Sequence, residues 1–243
     1  MLVRVIFATC LLILCALSGL VAGGLVALLP HRIAVASVRA SLVAATPTIP
    51  PQTTPILAQG DFHRLDQPLW GVASDGQTWG ADANALHVFS MANGTGQIAN
   101  GVGPFNAVLG PTGTNVEVVL SGRVNQFAGG ANLGAVVRWR DPHDWYKAFI
   151  DGTHLVLLKC LNGTAIQLAS TPFRAQGGIA YRIRLRANGA ALFVKVWPSR
   201  VEEPTAWMLI ASDLSLTSGQ AGIRVVLQRE TIMQIVSFQA TNQ

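Results

Sequence analysis

The chain has 243 residues, half of them hydrophobic and 12% charged, with 17 Lys+Arg against 12 Asp+Glu. That apolar content excludes a mostly disordered chain. The first 59 residues hold Arg4, Arg32 and Arg39 and no acid, so +3 of the net +5 lies there, and the remainder lacks the crowded positive charge of a nucleic-acid binder.

Val5 to Leu29 is a charge-free run, VIFATCLLILCALSGLVAGGLVALL. About 20 apolar residues cross the hydrocarbon core as a helix, so residues 1–30 read as an uncleaved transmembrane anchor. A cleaved signal is the alternative, because Ala34-Val35-Ala36 has the small residues of a cleavage site. A short N-terminal tail before the run and a large domain after it favour the C-terminal part outside the cytoplasm. Gly19 and Gly23 have the spacing of a small-residue helix-pairing motif. Cys10 and Cys15 fall in the run, leaving Cys160 alone in the body, which excludes a disulfide-stapled scaffold.

Residues 31–59 read as a linker. Ala45 to Gly60, ATPTIPPQTTPILAQG, is proline- and threonine-rich and uncharged, as in semi-rigid spacers.

Residues 60–243 read as all-β. Short alternating runs recur at Val116–Ser121, Leu133–Arg140, Trp145–Asp151, His154–Leu161, Ala165–Ala169, Ile179–Ala187, Ala190–Trp197, Met208–Ser212, Ala221–Gln228 and Ile232–Phe238. Weaker runs are Trp79–Ala81, Leu86–Phe89 and Ala107–Leu109. Asp151-Gly152, Asn162-Gly163 and Asn188-Gly189 are hairpin signals, because two-residue hairpin turns favour positive φ. So many short strands without helices predict a two-sheet antiparallel sandwich or barrel.

Period-2 alternation then assigns faces. Tyr181, Ile183 and Leu185 turn inward, and Arg182, Arg184 and Arg186 outward. Leu192, Val194 and Val196 turn inward, and Phe193, Lys195 and Trp197 outward. Trp139 goes with the core, and Arg138 and Arg140 go out. Trp145, Lys147, Phe149 and Arg224 also go out. The expected surface therefore interleaves cations with Trp145, Phe149, Phe193 and Trp197. Aromatic rings stack on sugar C–H faces and arginine forks bind hydroxyls or carboxylates, so this surface suits a glycan. Trp70, Trp79 and Trp207 are expected in the core.

The chain also resembles a known family. Asp61-Phe62, Gly71 and Asp75-Gly76-Gln77-Thr78-Trp79 look like the opening of a concanavalin A-like lectin/glucanase domain. LGAVVRWRDPHDWYKAFIDGTHLVLLK is similar to the central strands of laminin-G-like members. YRIRLRANGAALFVKVWP resembles the next hairpin, and EPTAWMLIASD with SGQAGIRV resembles the closing strands. The resemblance spans about Gly60 to Phe238 and implies a jelly-roll of two antiparallel sheets. It implies calcium as the metal most often used, with Asp61, Asp141, Asp144 and Asp151 as candidate ligands of a structural ion. No other cofactor is expected. The hydrolase members' Glu-x-Asp-x-x-Glu pattern is absent, the glutamates being Glu117, Glu202, Glu203 and Glu230. Neither a Gly-x-Ser-x-Gly elbow, a Cys-x-x-Cys pair, nor a phosphate-binding glycine loop occurs, so nucleotide binding has no support. Asn93-Gly94-Thr95 and Asn162-Gly163-Thr164 match the N-glycosylation pattern, but turn chemistry explains Asn162-Gly163 and both matches are discounted.

The combined expectation is a membrane-anchored, extracytoplasmic, non-catalytic module binding a glycan or surface polymer. Its candidate site is Arg138, Trp145, Lys147, Arg182, Arg184, Phe193, Lys195, Trp197 and Arg224. The rivals are a structural or protein-interaction module and a divergent glycoside hydrolase.

Overall fold

Alternating side chains and tight turns produce sixteen strands in the computed structural model, which describes residues 54–243. They are β1 (Ile56–Asp61), β2 (Gln67–Pro68), β3 (Gly80–Ala81), β4 (Phe89–Ala92), β5 (Thr95–Ile98), β6 (Gly103–Gly113), β7 (Val116–Val124) and β8 (Leu133–Asp141). There follow β9 (Asp144–Ile150), β10 (His154–Leu161), β11 (Thr164–Pro172), β12 (Ala180–Asn188), β13 (Ala191–Pro198), β14 (Leu209–Ser212), β15 (Gly219–Leu227) and β16 (Met233–Asn242). The run Val5–Leu29, the Gly19/Gly23 pair, Ala34–Ala36 and the proline-rich stretch up to residue 53 lie outside the described residues. No helix among the described residues is long and apolar enough to cross a membrane.

One sheet has nine strands in the order β14-β13-β12-β7-β16-β5-β4-β2, with β1 also pairing to β16. The other has seven, in the order β11-β10-β9-β8-β15-β6-β3. Every pairing is antiparallel, giving a two-sheet jelly-roll sandwich. Asn162 and Gly163 close the β10–β11 hairpin at φ 50 and 78. Asn93 and Gly94 do the same for β4–β5, at φ 53 and 67. That second hairpin and its strand β5 are absent from the sequence reading. β1 is also new. It begins at Ile56, inside the stretch read as linker, and pairs along β16 from Thr241 to Ser237.

Inward faces meet in one core. Val118, Leu120, Ile183, Leu185 and Val194 from the nine-stranded sheet are fully buried, as are Leu133, Ala135, Val137, Tyr146, Ala148 and Val225 from the other. An aromatic cluster closes part of it. Trp70 packs edge-on against Phe62 at 4.9 Å, Trp79 at 4.9 Å and Phe89 at 5.0 Å. Gly96 is required there, since a Cβ would stand 2.5 Å from the Phe62 ring. Trp70 and Trp79 are core residues as expected, but Trp207 is not; it lies half-buried on the outer side of the nine-stranded sheet.

Two expectations fail at a bulge in β8. The register shifts between Val137 and Asp141, and Arg138 takes φ 51. A bulge re-aims side chains, so alternation stops predicting faces there. Arg138 is not an outward ligand-binding residue but is 1% exposed. Its guanidinium donates to the carbonyls of Thr114, Leu216 and Gly189, fastening three connections at 2.7–3.0 Å. Trp139 is half-buried instead of joining the core.

A second polar tie holds the connection between β14 and β15. Tyr146 donates its hydroxyl to Asp213 at 2.5 Å, and Lys159 pairs with the other Asp213 oxygen. Burial, reinforced by the Asp213 hydrogen bond, pushes the Tyr146 phenol up to about 12. Burial pulls Asp213 upward, but hydrogen bonds from Lys159, Tyr146 and Ser215 outweigh it and hold the carboxyl far below its usual range. A raised phenol contributes its stability in full below its unfolded value near 10. That contribution is lost as pH climbs from about 10 to about 12. Urea midpoints measured across this window should fall more steeply for the parent protein than for Tyr146→Phe. Identical alkaline slopes would show that the phenol is not held as described.

Candidate functional site

The outer face of the nine-stranded sheet is organised in rows set by strand register. One row runs Asp61 (β1), Ser237 (β16), Ser121 (β7), Arg182 (β12), Trp197 (β13). The next runs Gln59, Gln239, Val119, Arg184, Lys195, and the third Thr241, Glu117, Arg186, Phe193. Three arginines on alternate positions of one strand stand about 7 Å apart, close enough to repel.

Two glutamates relieve that repulsion. Glu117 is 5% exposed on the outer face. It accepts from Arg184 Nη1 and, at 2.6 Å, from Arg186 Nε. Glu203, from the loop after β13, accepts from Arg184 Nη2 at 2.8 Å and Lys195 Nζ at 2.6 Å. Burial pulls the Glu203 carboxyl upward, but the Lys195 hydrogen bond and the Arg184 charge hold it below the ordinary range. Trp207 covers this network, with Lys195 Nζ 4.8 Å and the Arg186 guanidinium 5.1 Å from its ring, and Phe193 at 5.4 Å.

Beside the network lie two adjoining depressions of about 540 and 360 Å³, sharing Val119, Arg184 and Gln239. The larger is bordered by Glu117, Arg186, Ile56 and Thr241, and the smaller by Gln59, Asp61, Arg182 and Ser237. Together they form a groove floored by Val119 between β12 and the β16–β1 side. Among the described residues, the side chains of Gln59, Arg182, Ser237 and Gln239 form no hydrogen bond or ion pair. Their donors and acceptors are free for a ligand.

The structure does not join all the sequence-predicted residues. Arg182, Arg184, Phe193, Lys195 and Trp197 share this face. Trp145, Lys147, Phe149 and Arg224 share the outer face of the seven-stranded sheet, on the other side of the sandwich. There Arg224 stacks on Trp145 at 4.6 Å and bonds Asn106, while Lys147 donates to Asn132. Burial, with Arg224 nearby, draws the Lys147 pKa well down. Trp145 and Trp197 were expected to offer open stacking platforms, but they are 4% and 3% exposed. Trp145 is covered by Arg224 from β15, a position that alternation alone reads as solvent-facing.

The four aspartates do not converge on a calcium site. Asp141 Oδ1 accepts the His143 amide and Asp144 Oδ1 the Asn162 amide, at one end of β9. Asp151, at the other end, accepts the Thr153 and His154 amides. Asp61 belongs to the other sheet. No group of three His, Cys, Asp or Glu suited to a metal occurs among the described residues.

Sequence reasoning missed Glu117 as a partner, although its outward position opposite Arg186 follows once β7 and β12 are neighbours. It missed Gln59, Ser237 and Gln239, because β1 was hidden in the linker and amides carry no motif.

The fold recurs among solved structures. It is similar to a carbohydrate-binding module, CBM66, from Bacillus subtilis, with TM-score 0.52 and 15% identity over 72% of this chain and 97% of that one. It is similar to a xylan β-1,4-xylosidase from Bacillus halodurans C-125, with TM-score 0.57 and 12% identity over 76% of this chain and 39% of that one. The GH43B protein of a Bacteroides ovatus xyloglucan PUL gives TM-score 0.52 and 14% identity over 79% and 40%. The chain thus spans about two-fifths of the latter two proteins. No protein-family model and no curated protein sequence matches the chain. Likeness at these identities establishes the fold.

Removing Glu117 leaves two guanidinium groups facing each other. Glu117→Ala should lower stability by about 3 kcal/mol in urea unfolding, at the low end for breaking a buried pair. A loss within about 0.5 kcal/mol, typical of surface substitutions, would show that the network carries little.

Proposed function

We propose that the chain is a membrane-anchored, extracytoplasmic carbohydrate-binding module of the concanavalin A-like type. Its binding surface is the groove on the outer face of the nine-stranded sheet. The observation that carries this reading is the set of unengaged side chains around Val119: two amides, a serine hydroxyl and the Arg182 fork. Sugars present hydroxyls on all sides and a flat C–H face. Amides and guanidinium groups pair with hydroxyls in two directions at once, and a small apolar floor accepts the C–H face. The similarity in fold to a carbohydrate-binding module supports the same reading.

The module binds without hydrolysing. Glycoside hydrolysis needs one carboxylic acid kept protonated by a raised pKa, opposite a second carboxylate. Both glutamates of the ion network are tied to cations, and Glu203 is held low rather than raised. Membrane attachment rests on the charge-free run Val5–Leu29.

The test is affinity electrophoresis of the full chain, in a detergent without a sugar headgroup, through gels containing xylan or xyloglucan. Retardation is expected, and Gln239→Ala with Val119→Trp should weaken it at least about tenfold, near 1.4 kcal/mol. Unaltered retardation in the double variant, with its melting temperature preserved, would overturn the assignment of this groove.

A further inference from the structure

The cations of the sheet face are not neutralised evenly. Arg184, Arg186 and Lys195 are engaged by Glu117 and Glu203. Arg123, Arg182 and Arg200 have no ion pair among the described residues, and Glu202, two residues beyond Arg200, forms none with it. Unpaired arginines thus collect at one end of the face.

Register explains why. Arg123 on β7 lies opposite Ala180, and Arg182 is two residues along β12 on the same face, its diagonal neighbour. Arg200 sits in the turn that follows β13. That turn is pinned by Ser199 N donating to Ala180 O at 2.8 Å and by Val201 N donating to Pro198 O at 2.9 Å. Arg123 and Arg200 border a cleft of about 300 Å³ whose other walls include Ile179, Ala180 and Pro198. Arg123 spends its Nε on Gln234 at 2.6 Å, which orients the guanidinium and leaves its terminal nitrogens free.

We infer that the cleft between Arg123 and Arg200 is a subsite for a carboxylate-bearing sugar ring, making the ligand of this face a uronate polymer. The inference rests on the carbohydrate-binding reading above. Ile179, Ala180 and Pro198 offer an apolar wall for the ring's C–H face. The two guanidinium groups offer planar forks that match a carboxylate's two oxygens. Arg182 stands between the cleft and the groove, so a chain seated in the cleft continues past Arg182 toward Gln239 and Val119. A lone anion or a charged surface would have no use for that continuation of hydroxyl-binding side chains.

The experiment compares retardation of the full chain, in the same detergent, by polygalacturonate, its methyl ester, neutral xylan and polyglutamate at matched ionic strength. Polygalacturonate should bind at least about tenfold more tightly than its methyl ester. Arg123→Ala with Arg200→Ala should abolish that preference while leaving the melting temperature and weaker xylan binding intact. Equal binding of the acid and its ester, with xylan still bound, would overturn the uronate subsite and leave the groove reading standing. Binding to none of the polymers would overturn both. Polyglutamate binding equal to polygalacturonate would overturn the subsite in favour of plain charge attraction.

Discussion

A carboxylate buried on the outside of a sheet orders this molecule's candidate surface. Glu117 sits between Val116 and Val118, both of which face the core, and its own side chain turns outward beneath two arginines. An unpaired carboxylate that poorly hydrated would be costly, and so would three arginines alternating along β12. Each defect offsets the other. Arg184 then reaches a second carboxylate, Glu203, which draws the loop after β13 over Lys195. Trp207 follows on that loop and caps the network. The outcome is a wall along one side of the groove in which three cations share two carboxylates. The cations left over, Arg182 and Arg123, occupy the rows beyond the reach of Glu117.

The opposite wall depends on the first strand of the described residues. β1 pairs with the last strand, β16, and carries Gln59 and Asp61 to the edge of the depressions. Its attachment is reinforced from the core side. Gly60 lies so near Trp79 that a Cβ would stand 2.7 Å from the ring, which fixes how deeply β1 seats. The aromatic cluster thus helps set the groove's width, linking packing of the core to the geometry of the surface. Arg138 plays a comparable part at another connection, where one guanidinium replaces the hydrogen bonds three carbonyls would otherwise seek from water.

Much of the fold was legible in the sequence. Alternation and Asn-Gly turns are local signals, so β7 through β13 appear in the sequence within a residue or a few of their structural bounds. The core faces of β12 and β13 follow from the same period. What alternation does not carry is which strands become neighbours. The cations of β9 and β12 look alike in sequence, yet they lie on different sheets. The Arg138 bulge interrupts the period, and nothing in RWRD marks where. The burial of Trp145 depends on Arg224 from another strand of its sheet, which single-strand periodicity cannot weigh. The resemblance implies the aspartates as metal ligands, while Asp141, Asp144 and Asp151 each use Oδ1 on amides of their own turns or of the neighbouring hairpin, and Asp61 lies on the other sheet.

The two outer faces remain chemically distinct: one has unengaged amides and arginines around a groove, the other a buried lysine beside an arginine stacked on tryptophan. Amide chemical-shift mapping of the isotopically labelled full chain, titrated with an oligogalacturonate, separates them directly. Binding through the nine-stranded sheet predicts shifts at Gln59, Val119, Arg182 and Gln239, with Trp145, Lys147 and Phe149 unmoved. Shifts confined to Trp145, Lys147, Phe149 and Arg224 would contradict it and move the binding surface to the other side of the sandwich.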